Sequence, residues 1–467
     1  MSNAPVDVAI VGAGPAGMAA AAAARELGLS VALFDEQPTP GGQIYRNVMA
    51  IGDGLRAEIL GKEYLAGRPL AQRFLSSGAA YFPSSTVWRL AEDGISWTSP
   101  AGGGECAARR VLIATGAMER PFPVRGWTLP GVMTAGAAQI LLKSTGTVAD
   151  DAVFVGAGPL LYLIVCQYLQ AGVRVRAVLD TADPSNRWQA LRHLPVALTA
   201  PGYLAKGLKL LAQIRRSGVP HHRGVRNVAF AGDGKLSAVT WADRDGTHQL
   251  ECAHAFVHQG IIPNVNMTMA AGGKHRWDTG QLCWRPELDD HGRTSKDWLI
   301  VAGDGGGIAG ARSAALSGEI AALAAAVDLG RIDGAEHARR SLPLLATRRR
   351  DQAVRPFLER LYRPTDALRI PQCDEVVVCR CEEVRKRDVW AAVAEDCAGP
   401  NQLKSFTRAG MGPCQGRMCG HTVVETMAAQ RAVSPTEIGY YRIRMPVKPV
   451  TVGEIAGLGR NEGGITQ

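Results

Sequence analysis

The stretch VAIVGAGPAG, residues 8–17, runs four apolar residues into glycines at positions 12, 14 and 17. The apolar run reads as a buried strand, and glycines at that spacing, opening a helix, form a dinucleotide-binding fingerprint. Gly12 permits the tight turn, Gly14 lets backbone amides approach a pyrophosphate, and Gly17 lets the helix pack on the strand. Asp35 lies 23 positions after Gly12 and ends a second apolar strand, VALFD at 31–35. An acid there accepts hydrogen bonds from the ribose hydroxyls of an adenosine.

The same unit recurs. AVFVGAGPLL at 152–161 repeats the first stretch 144 positions on, and VRAVLD at 175–180 again ends in an acid. Both copies continue into short strands with Asp-Gly turn signals, Asp93-Gly94 in one and Asp233-Gly234 and Asp245-Gly246 in the other. Each closes on an apolar strand and a glycine, RVLIATG ending at Gly116 and HAFVHQG ending at Gly260, and that offset is also 144. Two copies of a βαβ-plus-meander unit explain the pattern. After them, WLIVAGDGGGIAGARSAALSGEIAALAAA at 298–326 reads as a buried strand passing through glycines into a long helix.

Length and composition agree with a multidomain globular chain. The 467 residues suit about three domains of ~150 residues each. The hydrophobic fraction of 46% and charged fraction of 20% are ordinary for a folded protein. A formal charge of +9 favours anionic partners. No basic stretch interleaves with aromatics, and Arg348-Arg349-Arg350 reads as a solvated helix face, so nucleic-acid binding is not expected. The longest apolar runs, Ala19–Ala24 and Ala321–Val327, fall far short of a membrane span. Met1 leads into strand by Val6 without a secretory pattern, which points to the cytoplasm, with membrane association through an electron acceptor.

Three further pieces turn a general dinucleotide reading toward FAD. Gly41-Gly42-Gln43 follows the acid, Ala114-Thr115-Gly116 ends the first copy, and Ala302-Gly303-Asp304 ends the late strand. The set resembles the two-dinucleotide-binding, glutathione-reductase-like flavoproteins of the α/β class. That resemblance implies FAD held by Gly12, Gly14, Pro15, Ala16, Gly17, Asp35, Glu36, Gly42, Gln43, Ala114, Thr115, Gly116, Gly303 and Asp304. In the second copy Leu161 replaces the third glycine and would crowd helix against strand, which speaks against a working NAD(P) site. Asp180 would suit NAD over NADP if the site works; a fold kept without its ligand, or one holding another adenine nucleotide, is the alternative.

The remaining chemistry sits near the end. VVCRCEEV places Cys379 and Cys381 one residue apart, and GMGPCQGRMCG at 410–420 adds Cys414 and Cys419, giving C-x-C-x32-C-x4-C. A disulfide, zinc, a redox dithiol and an iron–sulfur cluster are all conceivable holders of such cysteines. Four thiolates suffice for a [2Fe-2S] cluster, whose sulfides take hydrogen bonds from amides that Gly410, Gly412, Gly416 and Gly420 leave accessible. Structural zinc prefers two to four residues between paired ligands and is redox-silent beside a flavin. Disulfides are disfavoured in a reducing compartment. The lone Cys106, Cys166, Cys252 and Cys283 read as small buried hydrophobes, and with no Cys-x-x-Cys before residue 370 a disulfide reductase is disfavoured. Cys373 and Cys397 lack the glycine setting, and His421 is an unnecessary fifth ligand.

CRCEEV, LKSFTRAGMGPCQGRMCG at 403–420, PTPGGQIYR at 38–46 and ERPFPVRGWTLPGV at 119–132 together resemble the alpha subunit of bacterial heteromeric FAD/[2Fe-2S] dehydrogenases. These are the opine, D-hydroxyproline and cyanide-forming glycine dehydrogenases. The resemblance implies an electron-relay chain with no catalytic residues of its own. A partner beta subunit of the amino-acid-oxidase type would oxidise the amine, FMN would lie at the interface, and a small iron–sulfur gamma subunit would join. The rivals are an NAD(P)H-dependent flavin/iron–sulfur reductase acting alone and a nucleotide-binding scaffold with structural zinc. The expected layout is an FAD-binding domain at 1–118 and 272–335, an NAD(P)-binding-like domain at 119–271, a helical linker at 336–372, a small helical [2Fe-2S] domain at 373–434 and a tail at 435–467.

Overall fold

The computed structural model describes residues 4–458, so the last nine positions of the expected tail lie outside the described residues. Two parallel sheets carry the two sequence copies. In the first, the strands run in the order Ala80–Phe82, Val31–Phe34, Val6–Val11, Gly102–Ile113 and Leu299–Val301, all parallel. In the second, the order is His221–Arg223, Val175–Asp180, Ala152–Gly156, Ala255–His258 and Val132–Thr134, again parallel. Four strands of each sheet correspond across the repeat, and the fifth differs in origin: it comes from after the second copy in one sheet and from before it in the other.

The meanders also differ. Strand Gly102–Ile113 is long enough to serve both as the last meander strand, antiparallel to Gly94–Ser99, and as a central strand of the first sheet. In the second copy the corresponding path breaks after Glu251, leaving Arg226–Ala231, Ala238–Asp243 and Gly246–Glu251 as a separate three-stranded sheet. The two crossings between the sheets, Ala117–Glu119 and Ile261–Pro263, pair with each other antiparallel.

The first fold is packed on alanine. Helix Pro15–Glu26 buries every residue from Ala16 to Ala24, and helix Ala311–Asp328 lies directly against it. The reason is visible at Gly318, where a Cβ would stand 2.1 Å from the Ala16 carbonyl oxygen. Side chains larger than methyl on that face would push the helices apart.

The cysteine-bearing segment is not a separate globule. It contains a hairpin, Val377–Cys379 with Val384–Arg385, and helices Lys386–Ala394, Pro400–Thr407 and Gly420–Arg431. Its Val378, Cys379, Val423, Tyr441 and Val447 share one apolar core with Phe34, Ile113 and Val301 of the first sheet. The following tail straps over the meander: Val447 donates its amide to the Trp88 carbonyl at 2.9 Å, and Lys448 pairs with Glu36 at 2.6 Å. A buried ion pair, Arg369 with Glu425, pins helix Gly420–Arg431 to the linker.

Candidate functional site

At the first fingerprint the glycines are required by backbone contact. Gly12 has φ +105°, and a Cβ there would sit 2.6 Å from the Ala114 carbonyl oxygen; at Gly17 it would sit 1.8 Å from the Gly12 oxygen. The Gly41-Gly42-Gln43 loop closes on the fingerprint loop, since a Cβ on Gly42 would stand 2.8 Å from the Gly14 Cα. Asp35 is buried, and its carboxylate accepts the amides of Ala13 at 2.5 Å and Gln37 at 2.7 Å. Burial raises its pKa, and those amides oppose the rise.

From the other side, Gly303 lies over Ala16, and Asp304 Oδ1 accepts the amides of Ala309 at 2.9 Å and Gly310 at 3.0 Å, shaping the loop that enters helix Ala311–Asp328. Thr115 Oγ1 is buried there without a hydrogen-bond partner. The fingerprint, the Gly42 loop, Ala114–Gly116 and Gly303–Asp304 thus converge at the carboxyl ends of the strands, where open α/β sheets hold ligands. Glu36 is exposed and engaged by Lys448.

One residue of this region has no signal in sequence. Lys143, from helix Ala135–Thr145, is buried and donates to the Gln43 carbonyl at 3.0 Å and to Gln139 Oε1 at 2.9 Å. Burial depresses its pKa to about 7.

The second fingerprint is built differently. Leu161 is fully buried, and a Cβ on Gly156 would stand 1.8 Å from the His258 carbonyl oxygen. Asp180, the acid equivalent to Asp35, accepts the Tyr162 hydroxyl at 2.8 Å and the Ala182 amide at 2.9 Å, with His221 Nε2 at 3.5 Å. Tyr362 of the linker packs edge-on against Tyr162, ring centres 5.9 Å apart. Beneath this site the buried His258 pairs with Glu119 at 2.7 Å, and Glu119 also accepts the Gly136 amide at 2.8 Å. That dyad braces the crossing strands.

The four late cysteines come together. Cys379 interacts with Cys419, Cys419 with Cys414, and Cys414 with Cys381. The Cys419 thiol and the amides of Gly410, Glu382 and Cys381 lower the Cys379 pKa to about 6. Cys414 is lowered to about 5 by Cys419, the amides of Met418 and Gly416, and the Cys381 thiol. Cys419, donating to both neighbours, is raised. Among the described residues no group of three or more His, Cys, Asp or Glu side chains is arranged to hold a metal ion. The sulfurs form a chain of contacts, with Cys379 and Cys419 buried and Cys381 exposed.

The loop glycines have a cause the sequence does not reveal. A Cβ on Gly410 or Gly416 would strike the Tyr441 ring at 2.6 or 2.9 Å, one on Gly420 would strike the Tyr440 hydroxyl at 2.1 Å, and one on Gly412 would strike the Cys381 side chain at 2.3 Å. Tyr440 and Tyr441 roof the quartet from the tail. The Tyr441 hydroxyl is buried beside Cys419 and lacks a well-formed partner. His421 takes no place among the sulfurs: its Nε2 accepts the Trp284 amide at 3.1 Å. A cleft of about 550 Å³ opens beside the loop, lined by Lys404, Arg442 and Arg444.

The Pyridine nucleotide-disulphide oxidoreductase pattern matches residues 6–327, covering both fingerprints. The chain belongs to that family. Membership supports FAD as the flavin of this flavin-dependent oxidoreductase. Residues 375–458 match the Sarcosine oxidase A3 domain, which takes in all four late cysteines. An opine oxidase subunit from Rhizobium meliloti is 45% identical over 462 residues, 97% of this chain and 87% of the relative. Hydrogen cyanide synthase subunit HcnB of Pseudomonas aeruginosa is 33% identical over 466 residues, 96% of this chain and 98% of the relative. This family member therefore stands with the alpha-type subunits of heteromeric flavin dehydrogenases. In fold it resembles L-proline dehydrogenase from P. horikoshii, with a TM-score of 0.70 at 19% identity over 97% of this chain and 79% of that one.

Proposed function

We propose that this chain is the electron-transferring alpha subunit of a heteromeric dehydrogenase whose beta subunit, an amino-acid-oxidase-like flavoprotein, oxidises a secondary-amine amino acid of the opine or D-hydroxyproline type. The observation that carries the proposal is the line of four thiols in contact, Cys379 to Cys419 to Cys414 to Cys381, of which Cys379 and Cys419 share a core with the first nucleotide-binding sheet. Relatives named as subunits of opine oxidase and hydrogen cyanide synthase support the assignment.

FAD is assigned to the first fold, with Gly12, Gly14, Pro15, Ala16 and Gly17 at the pyrophosphate and Asp35 and Glu36 toward the ribose. Gly42, Gln43, Ala114, Thr115, Gly116, Gly303 and Asp304 line the rest. The unpartnered Thr115 hydroxyl is a polar group that a ligand would satisfy. A [2Fe-2S] cluster is assigned to Cys379, Cys381, Cys414 and Cys419. A two-iron cluster takes two thiolates per iron, so it does not call for three side chains around one point. The acidified Cys379 and Cys414, the surrounding amides and the free Tyr441 hydroxyl fit thiolates and sulfides that accept hydrogen bonds. The domain limits expected from sequence accompany this assignment, as do FMN at the alpha–beta interface and a small gamma subunit.

When bound, the flavin supplies two-electron and the cluster one-electron carriage. In the beta subunit the substrate would lose a hydride from the carbon beside nitrogen and a proton from nitrogen, and water would hydrolyse the imine. This chain positions carriers, shields them from water and passes the electron pair to an acceptor. The NAD(P)H-driven alternative is disfavoured by the Tyr162 hydroxyl that already engages Asp180 and by the buried Leu161 in place of the third glycine.

The test is anaerobic purification with the native partners, followed by a screen of amino-acid derivatives for flavin bleaching and assays for iron and acid-labile sulfide. Bleaching by an opine or hydroxyproline only when the beta subunit is present is the expected result. Amine turnover by the isolated chain, bleaching by NADH alone, or stoichiometric zinc would overturn the reading.

A further inference from the structure

Residues 184–232 contain eight Lys or Arg and no Asp or Glu. Within this span, helix Asn186–Ala190, the turn Leu191–His193 and helix Leu194–Ala197 form a nearly continuous helical run. Its buried residues are Asn186, Ala190 and Ala197, spaced by four and seven, so they share the inward face. Opposite them, at spacings of three, four and three, project Trp188, Leu191, Pro195 and Leu198. Trp188 is 78% exposed and Leu198 57%. Arg187 and Arg192 flank this apolar stripe and are exposed too.

The next helix, Pro201–Arg216, repeats the arrangement. Leu210 and Ile214 are buried, while Leu208 is 70% exposed among the exposed Lys209, Arg215 and Arg216. Its first turns are tied to the rest of the molecule by Tyr203 to Asp351 and Lys206 to Glu63, and its second half packs inward through Leu210 and Ile214, which leaves Leu208 facing outward. A helical surface that is apolar on its outward side, carries tryptophan, is flanked by exposed Arg187 and Arg192 and contains no acid of its own between residues 184 and 232 matches the chemistry of an anionic bilayer interface. No helix among the described residues is long and apolar enough to cross a membrane, so contact would be in the interface plane.

We infer that residues 186–216 form a peripheral docking surface for anionic phospholipid membranes. Trp188, Leu191 and Leu198 enter the headgroup boundary, and Arg187, Arg192, Lys209, Arg215 and Arg216 pair with lipid phosphates. The surface belongs to the second nucleotide fold and does not depend on which substrate the assembly oxidises.

The test is co-sedimentation of the full-length chain, alone and with its co-purified subunits, with vesicles of phosphatidylcholine or of phosphatidylcholine mixed with phosphatidylglycerol. Binding to the mixed vesicles only, reversed by high salt, is expected. Trp188→Ser with Leu191→Ser, and separately Arg187→Glu with Arg192→Glu, should each lower the partition coefficient by about tenfold or more with unchanged circular dichroism. Equal binding to both vesicle types, wild-type binding by both variants, or binding by the isolated chain that vanishes in the assembly would overturn the inference. The last result would make the face a subunit interface.

Discussion

The hydroxyl of Tyr441 is buried against the thiol of Cys419 without a well-formed hydrogen bond, although both belong to the same apolar core. A buried donor left unsatisfied costs about 1–3 kcal/mol, so the contact is unfavourable unless something at the sulfurs accepts it. Tyr441→Phe should therefore leave the metal-free chain as stable as wild type or more so in a thermal melt. In the iron-loaded protein the same change should move the reduction potential to more negative values, because hydrogen bonds to sulfur favour the reduced cluster. A potential that does not move would remove Tyr441 from the centre.

Cys379→Ser and Cys373→Ser separate members of the quartet from bystanders. Cys379 is buried against Cys419, whereas Cys373 is exposed. Cys379→Ser should abolish bound iron and sulfide in the purified protein, and Cys373→Ser should leave both at wild-type levels.

Gly17→Ala places a methyl 1.8 Å from the Gly12 carbonyl oxygen, a backbone contact that no rotamer relieves. Overpacking of this kind costs about 1–3 kcal/mol, and the shift falls on the proposed pyrophosphate loop. The variant should purify without its yellow absorbance and melt below wild type. Gly172→Ala is a control for general glycine loss, since nothing lies within 4 Å of that position, although its φ of +77° adds some strain.

Lys143 gives a pH signature. Burial lowers its folded pKa to about 7 from 10.5, so between those values the unfolded chain binds more protons than the folded one, and stability contributed by this group rises with pH. Lys143→Met should flatten that rise in denaturant titrations while losing the bonds to Gln43 and Gln139. Equal slopes for variant and wild type would place the ammonium in a wetter setting.

The strands, the duplication and the fingerprint glycines were legible because each rests on spacing within a few residues. Gly12, Gly14, Gly17 and Asp35 meet through one βαβ turn, and the chain order alone brings them together. The cysteine spacing likewise indicated a shared centre. What stayed hidden is long-range. Lys143 reaches Gln43 across 100 residues, and Tyr440 and Tyr441 reach the loop glycines from a tail with no periodicity. The glycines at 410, 416 and 420 were read as leaving their amides accessible to cluster sulfides; the amides of Gly410 and Gly416 reach the sulfurs of Cys379 and Cys414, and the missing side chains also make room for two aromatic rings. Asp180 looked like a ribose acid, and only the fold shows Tyr162 already bonded to it.

The strap from Met445 to Lys448 ties a late-synthesised stretch to the meander and sheet made some 355 residues earlier. Until the segment from Val378 to Val447 is synthesised, the apolar side of that sheet, with Phe34, Ile113 and Val301, waits uncovered. Folding of the first sheet is therefore completed from a distance: truncations that remove residues 378–448 should yield insoluble fragments, not a smaller working nucleotide-binding unit.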